Sequence, residues 1–218
     1  MSDNPIRRRG RPRREDSPAS SEAILAAALH AFAVHGYDGV SLRTLNTELG
    51  VSHNLLYQRF GSKAAIWRAA VDQAFGTLLT ELKASVDSTI TDPLLQFRTT
   101  IRRFLVFSAA NPDVFRLMST EGNRDTERLA YLFDTYIGPA TAPLGRALEA
   151  LIAEGRVRPI SLRALHFLIT AGGSAVFAQL ALARHFDPAD PLAPEQVHAH
   201  VDTVADLIVA GLEVTRAN

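Results

Sequence analysis

The stretch SLRTLNTELGVSHNLLYQRFGSK, residues 41–63, combines two short helical patterns with a glycine between them. Ser41 stands where it can cap a first helix, whose leucines share one face and which ends at Gly50. Ser52 stands where it can cap a second helix, which ends at Gly61. Because glycine permits the sharp turn between two such helices, the stretch predicts a helix-turn-helix unit.

The second of these helices has one apolar and one polar face. Packing of the two helices through Leu45, Val51 and Leu56 points the polar side chains outward. The side chains on that polar face are His53, Asn54, Tyr57 and Gln58. A helix this short is about 10 Å long, and the major groove of DNA is about 12 Å wide. The pattern therefore predicts that the second helix reads base edges.

Helical patterns continue on both sides of this unit, and capping signals divide them. Ser20 or Ser21 can cap a helix that ends at His35-Gly36, and Ser62 starts a longer helix after the unit. Two later helices start at Asp92-Pro93 and Asn111-Pro112. A third runs from about Thr126 to Glu154, with an interruption near Gly138-Pro139. The last two run from Ser161 to Arg184 and from Pro194 to about Leu212. Since no strand-like alternation competes, we predict an all-α fold of about nine helices.

Composition favours a folded chain and limits its chemistry. The 218 residues are 47% hydrophobic and 21% charged, which is typical of a chain with a sizeable core. The absence of cysteine excludes disulfides, thiolate metal sites and a cysteine nucleophile. Residues 1–75 carry ten basic and seven acidic side chains, a balance of +3, and residues 76–218 carry thirteen and sixteen, a balance of −3. The N-terminal part is therefore expected to meet a polyanion.

A basic arm occupies residues 1–19 and is predicted to be disordered by itself, because it contains prolines, a glycine and repelling arginines. Its Arg9-Gly10-Arg11-Pro12 resembles the core of an AT-hook, in which Arg9 and Arg11 flank a glycine lying deep in the minor groove. Three interpretations stay open: minor-groove insertion, general attraction to phosphates, and a solvated tail. The apolar run that follows is short and lacks a cleavage site, so we expect no signal peptide and a cytoplasmic protein.

Residues 20–75 carry a specific combination of positions: Ile24-Leu25-Ala26-Ala27, Phe32, Gly36-Tyr37, Val40-Ser41, Leu45, Gly50-Val51-Ser52, Leu56-Tyr57, Phe60 and Ser62-Lys63. Together they resemble the DNA-binding domain of the TetR family of bacterial transcriptional regulators, with its motif at about residues 42–61. Residues 76–218 resemble the effector-binding and dimerisation part of that family in helix layout alone. The resemblance implies a homodimeric, ligand-responsive repressor that a small effector releases from a pseudo-palindromic operator.

Three positions depart from the family pattern. Asn46 stands where a small residue is usual, so either the packing of the two helices is altered there or its side chain turns toward a phosphate. Asn54 stands where glycine is common, and Leu55 where a small residue is common. Base contacts at these two positions are therefore expected to be particular to this chain.

The start of the second helix offers backbone N–H groups and the Ser52 hydroxyl to phosphate, and His53 and Asn54 follow within reach of base edges. The resemblance implies phosphate contacts for Tyr57 and, at the start of the next helix, for Lys63. Arg59 has a second interpretation as a solvated surface charge. The predicted DNA contacts outside the arm are Ser41, Arg43, Thr44, Ser52, His53, Asn54, Tyr57, Gln58, Arg59 and Lys63.

The run from Ala164 to Ala183 is apolar almost throughout, too much so for a helix with one wet face. A single helix-turn-helix unit makes few contacts, so we expect a homodimer whose seam is built by the last two helices. The residues expected to join the run in a four-helix seam are Val197, Val201, Val204, Leu207 and Ile208. A membrane span is the alternative, but a polar stripe opposes it, formed by His166, Thr170 and Ser174.

Aromatic and flexible apolar side chains recur at helical spacing in the C-terminal part. Two interpretations stay open: an ordinary core, or, as the resemblance implies, the lining of a cavity for a small, mostly apolar effector. The residues assigned to that pocket are Phe104, Phe107, Phe115, Met118, Phe133, Tyr136, His166, Phe167, Thr170 and Phe177. Of these, Tyr136, His166 and Thr170 would supply the polar groups.

Two other classes of protein remain as alternatives. A helical enzyme lacks an assembled set of residues, since the histidines form no H-E-x-x-H pair and neither a nucleophile elbow nor a phosphate-binding loop occurs. His198 and His200 are two positions apart on a helix and point differently, so neither a metal site nor a cofactor is expected. The second alternative is a basic-arm DNA-binding protein without an effector.

Overall fold

The computed structural model describes residues 20–51, 54–84 and 86–214. The helices are α1 Ser21–Gly39, α2 Leu42–Glu48, α3 Leu55–Phe60, α4 Lys63–Ala84, α5 Pro93–Ala110, α6 Pro112–Glu121, α7 Glu127–Leu132, α8 Gly138–Ala153, α9 Leu162–Phe167, α10 Ser174–Ala178, α11 Leu180–Phe186 and α12 Pro194–Leu212. Two π-helical segments, Phe133–Ile137 and Leu168–Gly173, join α7 to α8 and α9 to α10. With those joined pairs counted as single rods, the described chain has ten helices and no strand, which confirms the all-α class.

Side-chain caps set several helix starts where the sequence predicts them. The Ser20 hydroxyl accepts a hydrogen bond from the Ala23 amide at 3.1 Å and so begins α1. The hydroxyls of Ser41 and Ser161 cap α2 and α9 in the same way, and the Asp92 carboxylate caps α5. The predicted starts of these four helices are confirmed.

Two of the predicted long helices differ from the structure. The helix predicted from Ser161 to Arg184 is broken at Gln179, whose ψ of 51° is not helical, and the rods on either side meet at 84°. The interruption predicted near Gly138-Pro139 is a π-helical segment that ends at Ile137, and the rod continues through it into α8. Among the described residues, no single helix is long and apolar enough to cross a membrane; only the bent pair that meets at Gln179 reaches that length and composition.

Two clusters of buried side chains form the core. The first joins Leu45 and Leu56 of the helix-turn-helix unit to Trp67 of α4 and Phe115 of α6. The second lies among the C-terminal helices and includes Phe177. Since α4 runs from Lys63 to Ala84, the domain boundary expected after residue 75 lies inside one helix. The helix-turn-helix unit therefore shares its core with the helices that follow it.

Candidate nucleic-acid interface

The helix-turn-helix unit consists of α2, the turn at Gly50, and α3. Leu45 and Leu56 are buried where the two helices pack, as the sequence predicts. Gly50 has a φ of +62°, a conformation that side chains other than glycine adopt only with strain. The Val51 amide donates to the carbonyl oxygen of Asn46 at 3.0 Å and closes the turn. The predicted turn and the packing of the two helices are confirmed, but the second helix begins at Leu55 after its N-cap Asn54, and the prediction that Ser52 caps it is wrong.

The polar side of α3 faces solvent. Asn54, Tyr57, Gln58 and Arg59 are all exposed, Tyr57 for 64% of its surface, whereas Leu56 on the other side of the helix is fully buried. Six residues make α3 about 9 Å long, which fits a major groove about 12 Å wide. The outward orientation of Asn54 and Tyr57 agrees with the predicted reading role.

The start of α2 presents a second exposed polar group, which consists of Ser41, Arg43 and Thr44. The Ser41 hydroxyl accepts from the Thr44 amide at 3.0 Å and also contacts the Thr44 hydroxyl. These contacts fix the first turn of α2 and leave the Arg43 guanidinium at its edge. The remaining predicted contacts, Arg9, Arg11, Ser52 and His53, lie outside the described residues.

Asn46 belongs to the interior of the unit. Its side chain is only 3% exposed, and its amide donates to the carbonyl oxygen of Leu42 at 2.8 Å. Of the two interpretations of this departure from the family pattern, the phosphate contact is therefore wrong. The structure supports the other one, in which Asn46 alters the packing of the two helices. Leu55, the one apolar residue among the three departures, is half-buried and packs against the same core.

Lys63 contacts its own chain, and the predicted phosphate contact stays a prediction. Its ammonium donates to the carbonyl oxygens of Tyr37 and Val40, both at 2.8 Å, and lies 4.3 Å from the centroid of the Tyr37 ring. An ammonium has three donors, so these bonds leave one N–H for a phosphate. Through these two bonds Lys63 holds the end of α1 and the approach to α2 against the start of α4.

A cluster around Tyr37 contains residues that sequence reasoning missed. Arg128 of α7 lies over the Tyr37 ring, 4.1 Å from its centroid, and its Nε donates to both carboxylate oxygens of Glu121 at 3.0 Å. Glu121 is only 3% exposed, and Arg128 is the cation that pairs with its buried carboxylate. Gly36-Tyr37 is part of the family resemblance, but no spacing rule predicts that positions 37, 121 and 128 meet.

Asp72 of α4 joins the DNA-binding part to the next helices. It accepts hydrogen bonds from the hydroxyls of Tyr131 and Tyr136, each at 2.6 Å. Burial, together with the bond to Asp72, raises the pKa of Tyr136 well above its usual value. The bond to Asp72 is the main reason that the pKa of Tyr131 is also raised. Both phenols therefore stay protonated and hold their segment against α4.

The residues assigned to the effector pocket are divided between the two core clusters. The first cluster contains Phe107, Phe115 and Tyr136, the second contains Phe177, and the half-buried Phe104 touches both. Met118, His166 and Thr170 are half-buried, and burial lowers the pKa of His166. Phe133 and Phe167 instead expose 54% and 60% of their surface. A single protomer therefore does not gather all ten residues around one space, and the pocket stays a prediction.

A buried polar pair lies among the C-terminal helices. The hydroxyls of Ser108 on α5 and Ser174 on α10 are 3.1 Å apart, and both side chains are fully buried. The imidazole Nε2 of His200 lies 2.8 Å from the carbonyl oxygen of Gly173 next to this pair. Ser174 was visible in the polar stripe of the sequence, but Ser108 was not, because it follows a run of apolar residues on its own helix.

The last helices carry exposed apolar side chains, which are Phe167, Leu168, Leu182, Phe186 and Leu207. Val197 and Val201, by contrast, are buried in the second core cluster, because α12 packs that face against α5 of its own chain. Their assignment to a dimer seam is therefore wrong. Leu207 is 68% exposed and remains available for such a seam.

An exposed helix held on a buried helix-turn-helix frame, with a larger helical part attached, defines a DNA-binding regulator of transcription. The sequence matches the family described as "Bacterial regulatory proteins, tetR family" over residues 24–70. It also matches the family described as "Tetracyclin repressor-like, C-terminal domain" over residues 93–208. The chain belongs to the TetR family of transcriptional regulators.

Similar proteins agree with this membership. The HTH-type transcriptional regulator RutR of Escherichia coli strain K12 is 32% identical over 157 residues, which cover 70% of this chain and 71% of RutR. A tetR-family regulatory protein from Rhodococcus RHA1 has a TM-score of 0.67 at 20% identity, over 91% of this chain and 100% of that one. FadR of Bacillus subtilis, solved in complex with stearoyl-CoA, has a TM-score of 0.62 at 15% identity, over 86% and 97% of the two chains. The two solved structures support the fold.

Proposed function

We propose that this regulator is a homodimeric repressor, that α3 of each protomer reads one half of a pseudo-palindromic site, and that a small, mostly apolar effector releases it. The observation that carries the reading role is that Asn54, the N-cap of α3, and Tyr57 are exposed while Leu56 is buried. A helix divided in this way stays attached to its domain while its polar side chains enter a groove.

The roles of the exposed residues follow from their chemistry. The Asn54 amide pairs with the two hydrogen-bonding atoms of an adenine edge, which discriminates against other bases by about 1–3 kcal/mol. The Tyr57 hydroxyl, one turn along the exposed side, contacts phosphate and sets the depth of α3 in the groove. Arg43 and Thr44 contact the backbone on the other flank, and the basic arm extends the interface along the duplex.

The dimer is proposed to form through the exposed apolar side chains of the last helices. Phe167 and Leu168 on the α9–α10 rod and Leu207 on α12 are large apolar side chains, and each exposes more than half of its surface. Covering them with the same surface of a second copy removes apolar area from water. It also places two α3 helices on one duplex, about 34 Å apart if they read successive major grooves.

The effector is proposed to bind among the C-terminal helices, where aromatic side chains surround few polar groups. Phe104 and Phe115 form an edge-to-face pair with centroids 5.3 Å apart, and the Ser108–Ser174 pair supplies buried hydroxyls on α5 and α10. The complex of FadR with stearoyl-CoA is an example of this fold holding a ligand with a long apolar chain. Release from DNA requires the effector to favour the DNA-free arrangement by about 1–3 kcal/mol.

Selection from a random duplex pool tests the DNA-reading role. The full chain is incubated with the pool, and the bound duplexes are sequenced after several rounds. We expect one enriched site with two-fold symmetry and half-sites about one helical turn apart. A pool without any enriched sequence contradicts the reading role, whereas an enriched site without symmetry contradicts the dimer alone.

Titration of the selected duplex in the presence of fatty acids and acyl-CoA thioesters tests the effector. We expect at least one apolar compound to weaken DNA binding and to bind the free protein more tightly than the DNA-bound protein. Equal affinity for both forms refutes regulation by that compound. If no apolar compound changes DNA affinity, the alternative of a basic-arm DNA-binding protein without an effector is favoured.

A further inference from the structure

We infer that Arg128 is a positioning residue for DNA binding, and that it links the state of α6 and α7 to the helix-turn-helix unit through Tyr37 and Lys63. This inference rests on the proposed function, since it names how regulation reaches the DNA-reading helix. The contacts that carry it are the guanidinium of Arg128 at 4.1 Å and the ammonium of Lys63 at 4.3 Å from the centroid of one ring, that of Tyr37.

Lys63 closes the base of the helix-turn-helix unit. Val40, whose carbonyl oxygen accepts from Lys63 at 2.8 Å, directly precedes the cap of α2, and Lys63 is the first residue of the helix that follows α3. One ammonium therefore joins the two chain ends that enclose α2 and α3. The Tyr37 carbonyl oxygen accepts from the same ammonium at 2.8 Å, so the position of Tyr37 is tied to this closure.

The guanidinium of Arg128 is fixed by its contact with α6. Both oxygens of the buried Glu121 carboxylate accept from its Nε, and that carboxylate lies at the end of α6. Neighbouring Arg124 offers a contrast, because its ion pair with Asp38 is 3.2 Å long and both side chains are more than two-thirds exposed. A fixed guanidinium transmits displacement of α6 or α7 to the ring that it covers, whereas a solvated one does not.

The Tyr37 ring is fixed on one side by the core, and on the other side a cleft leaves space for Arg128 to move. Its ring stacks on Phe32 with centroids 5.8 Å apart and meets Trp67 edge-on at 6.5 Å, so it has a defined position in the first core cluster. On the other side, a cleft of about 610 Å³ borders Tyr37, Glu121 and Arg128. Arg128 can therefore leave the ring without opening a void inside the core.

The test compares three variants with the wild type. Glu121→Gln combined with Arg128→Met removes both members of the buried pair, so no uncompensated charge is left behind. Arg128→Lys keeps a cation for the Tyr37 ring but loses the two-oxygen contact with Glu121. Arg124→Met is the matched control, since it removes an arginine from the same region without touching Tyr37. The DNA probe is the duplex that the wild-type chain selects from the random pool.

We expect the double variant to bind that duplex about 5–20-fold more weakly, Arg128→Lys to recover part of the loss, and Arg124→Met to stay within about twofold of wild type. Trp67 is the only tryptophan of the chain and contacts the Tyr37 ring, so its emission should shift in the double variant and not in the control. A double variant that binds DNA as tightly as Arg124→Met overturns the inference.

A measurement without DNA separates this inference from the proposed function. Amide hydrogen exchange over residues 54–66 should be faster in the double variant than in wild type and unchanged in Arg124→Met. If the wild-type chain selects no duplex, the proposed function fails, and the exchange result alone then decides whether Arg128 holds the unit. If the double variant does not fold, the same comparison is made between Arg128→Lys and wild type. Equal exchange rates in those two proteins would also overturn the inference.

Discussion

The hydroxyl of Tyr136 donates to the carboxylate of Asp72 at 2.6 Å, and this bond connects the π-helical segment after α7 with the middle of α4. Tyr131 donates to the same carboxylate oxygen from the other side. Since α4 begins at the end of the helix-turn-helix unit, these two phenols attach α7 and the segment after it to the helix that follows that unit. The bonds to Asp72 are polar, but the rings of Tyr131 and Tyr136 pack in the first core cluster.

Replacing Tyr136 with phenylalanine should destabilise this junction. The change removes a hydrogen bond to a charged acceptor from a buried position, which costs about 1.5–3 kcal/mol of unfolding free energy. Tyr131→Phe is the matched control, because it removes a bond to the same carboxylate from a more exposed ring and should cost less. Urea unfolding followed by circular dichroism measures both. An equal loss in the two variants, or none in Tyr136→Phe, contradicts the prediction.

Substitutions on α3 should separate base reading from backbone contact. Asn54→Ala is expected to relax base preference at one position of each half-site, at a cost of about 1–3 kcal/mol for the preferred base. Tyr57→Phe removes only a hydroxyl and should weaken binding to all sequences alike. Repeating the duplex selection with each variant measures the difference. If Asn54→Ala keeps the wild-type sequence preference, the assignment of Asn54 to base reading is wrong.

Replacing Lys63 should lower the stability of the chain, whereas replacing Arg43 should weaken DNA binding and leave stability unchanged. Lys63→Met leaves the carbonyl oxygens of Tyr37 and Val40 without their donor, so unfolding free energy should fall by about 1–3 kcal/mol. Arg43→Met changes an exposed side chain and should leave stability unchanged while it weakens DNA binding and its dependence on salt. Thermal unfolding and a salt titration of duplex binding test the pair. The role assigned to Lys63 fails if its variant is as stable as the wild type.

Arg43 and Lys63 show which features of the site could be predicted from the sequence and which could not. Caps such as Ser41 and the positive φ of Gly50 depend on a few neighbouring residues, so they are predictable from local pattern. The exposure of Tyr57 follows from the same amphipathic reasoning. Lys63 bonds to carbonyl oxygens 23 and 26 positions earlier, which no local pattern encodes. Its position in the family motif indicated that it matters, but not what it contacts.

The remaining differences have tertiary causes. The break at Gln179 and the π-helical segment before α10 interrupt a run whose composition favours one long helix. Within that run, a Cβ on Gly173 would lie 2.7 Å from a methyl carbon of Leu105, so the rod passes α5 at unusually short distance. The burial of Val201 against α5 is similar, because hydrophobic spacing on α12 predicts an apolar face and not the partner that covers it.

Acid should destabilise the chain partly through His166. Burial lowers the pKa of this imidazole from its ordinary value of 6.5, so the unfolded chain binds a proton more readily than the folded one. The resulting loss of stability is absent above pH 6.5 and grows as the pH falls through the interval between the unfolded and folded pKa values. Urea unfolding between pH 7.5 and about 5 should therefore show a shallower decline for His166→Gln than for wild type. His185→Gln, at an exposed histidine on α11, is the control and should decline as wild type does.

Leu207→Glu should convert the proposed homodimer to monomers without unfolding the chain. Leu207 is 68% exposed on α12, so a carboxylate is tolerated there in a single protomer. In a symmetric seam, the two introduced charges would be buried close to each other and unpaired, which is strongly unfavourable. Leu95→Glu is the matched control, since it places the same charge at an exposed leucine of α5.

Light scattering after size exclusion gives the masses, and circular dichroism verifies the fold. If Leu207→Glu stays dimeric, the contact between protomers lies elsewhere. If the wild type is monomeric, the proposed dimer is wrong. Because each protomer supplies one α3, monomers formed in this way should also bind the selected duplex far more weakly than the control does.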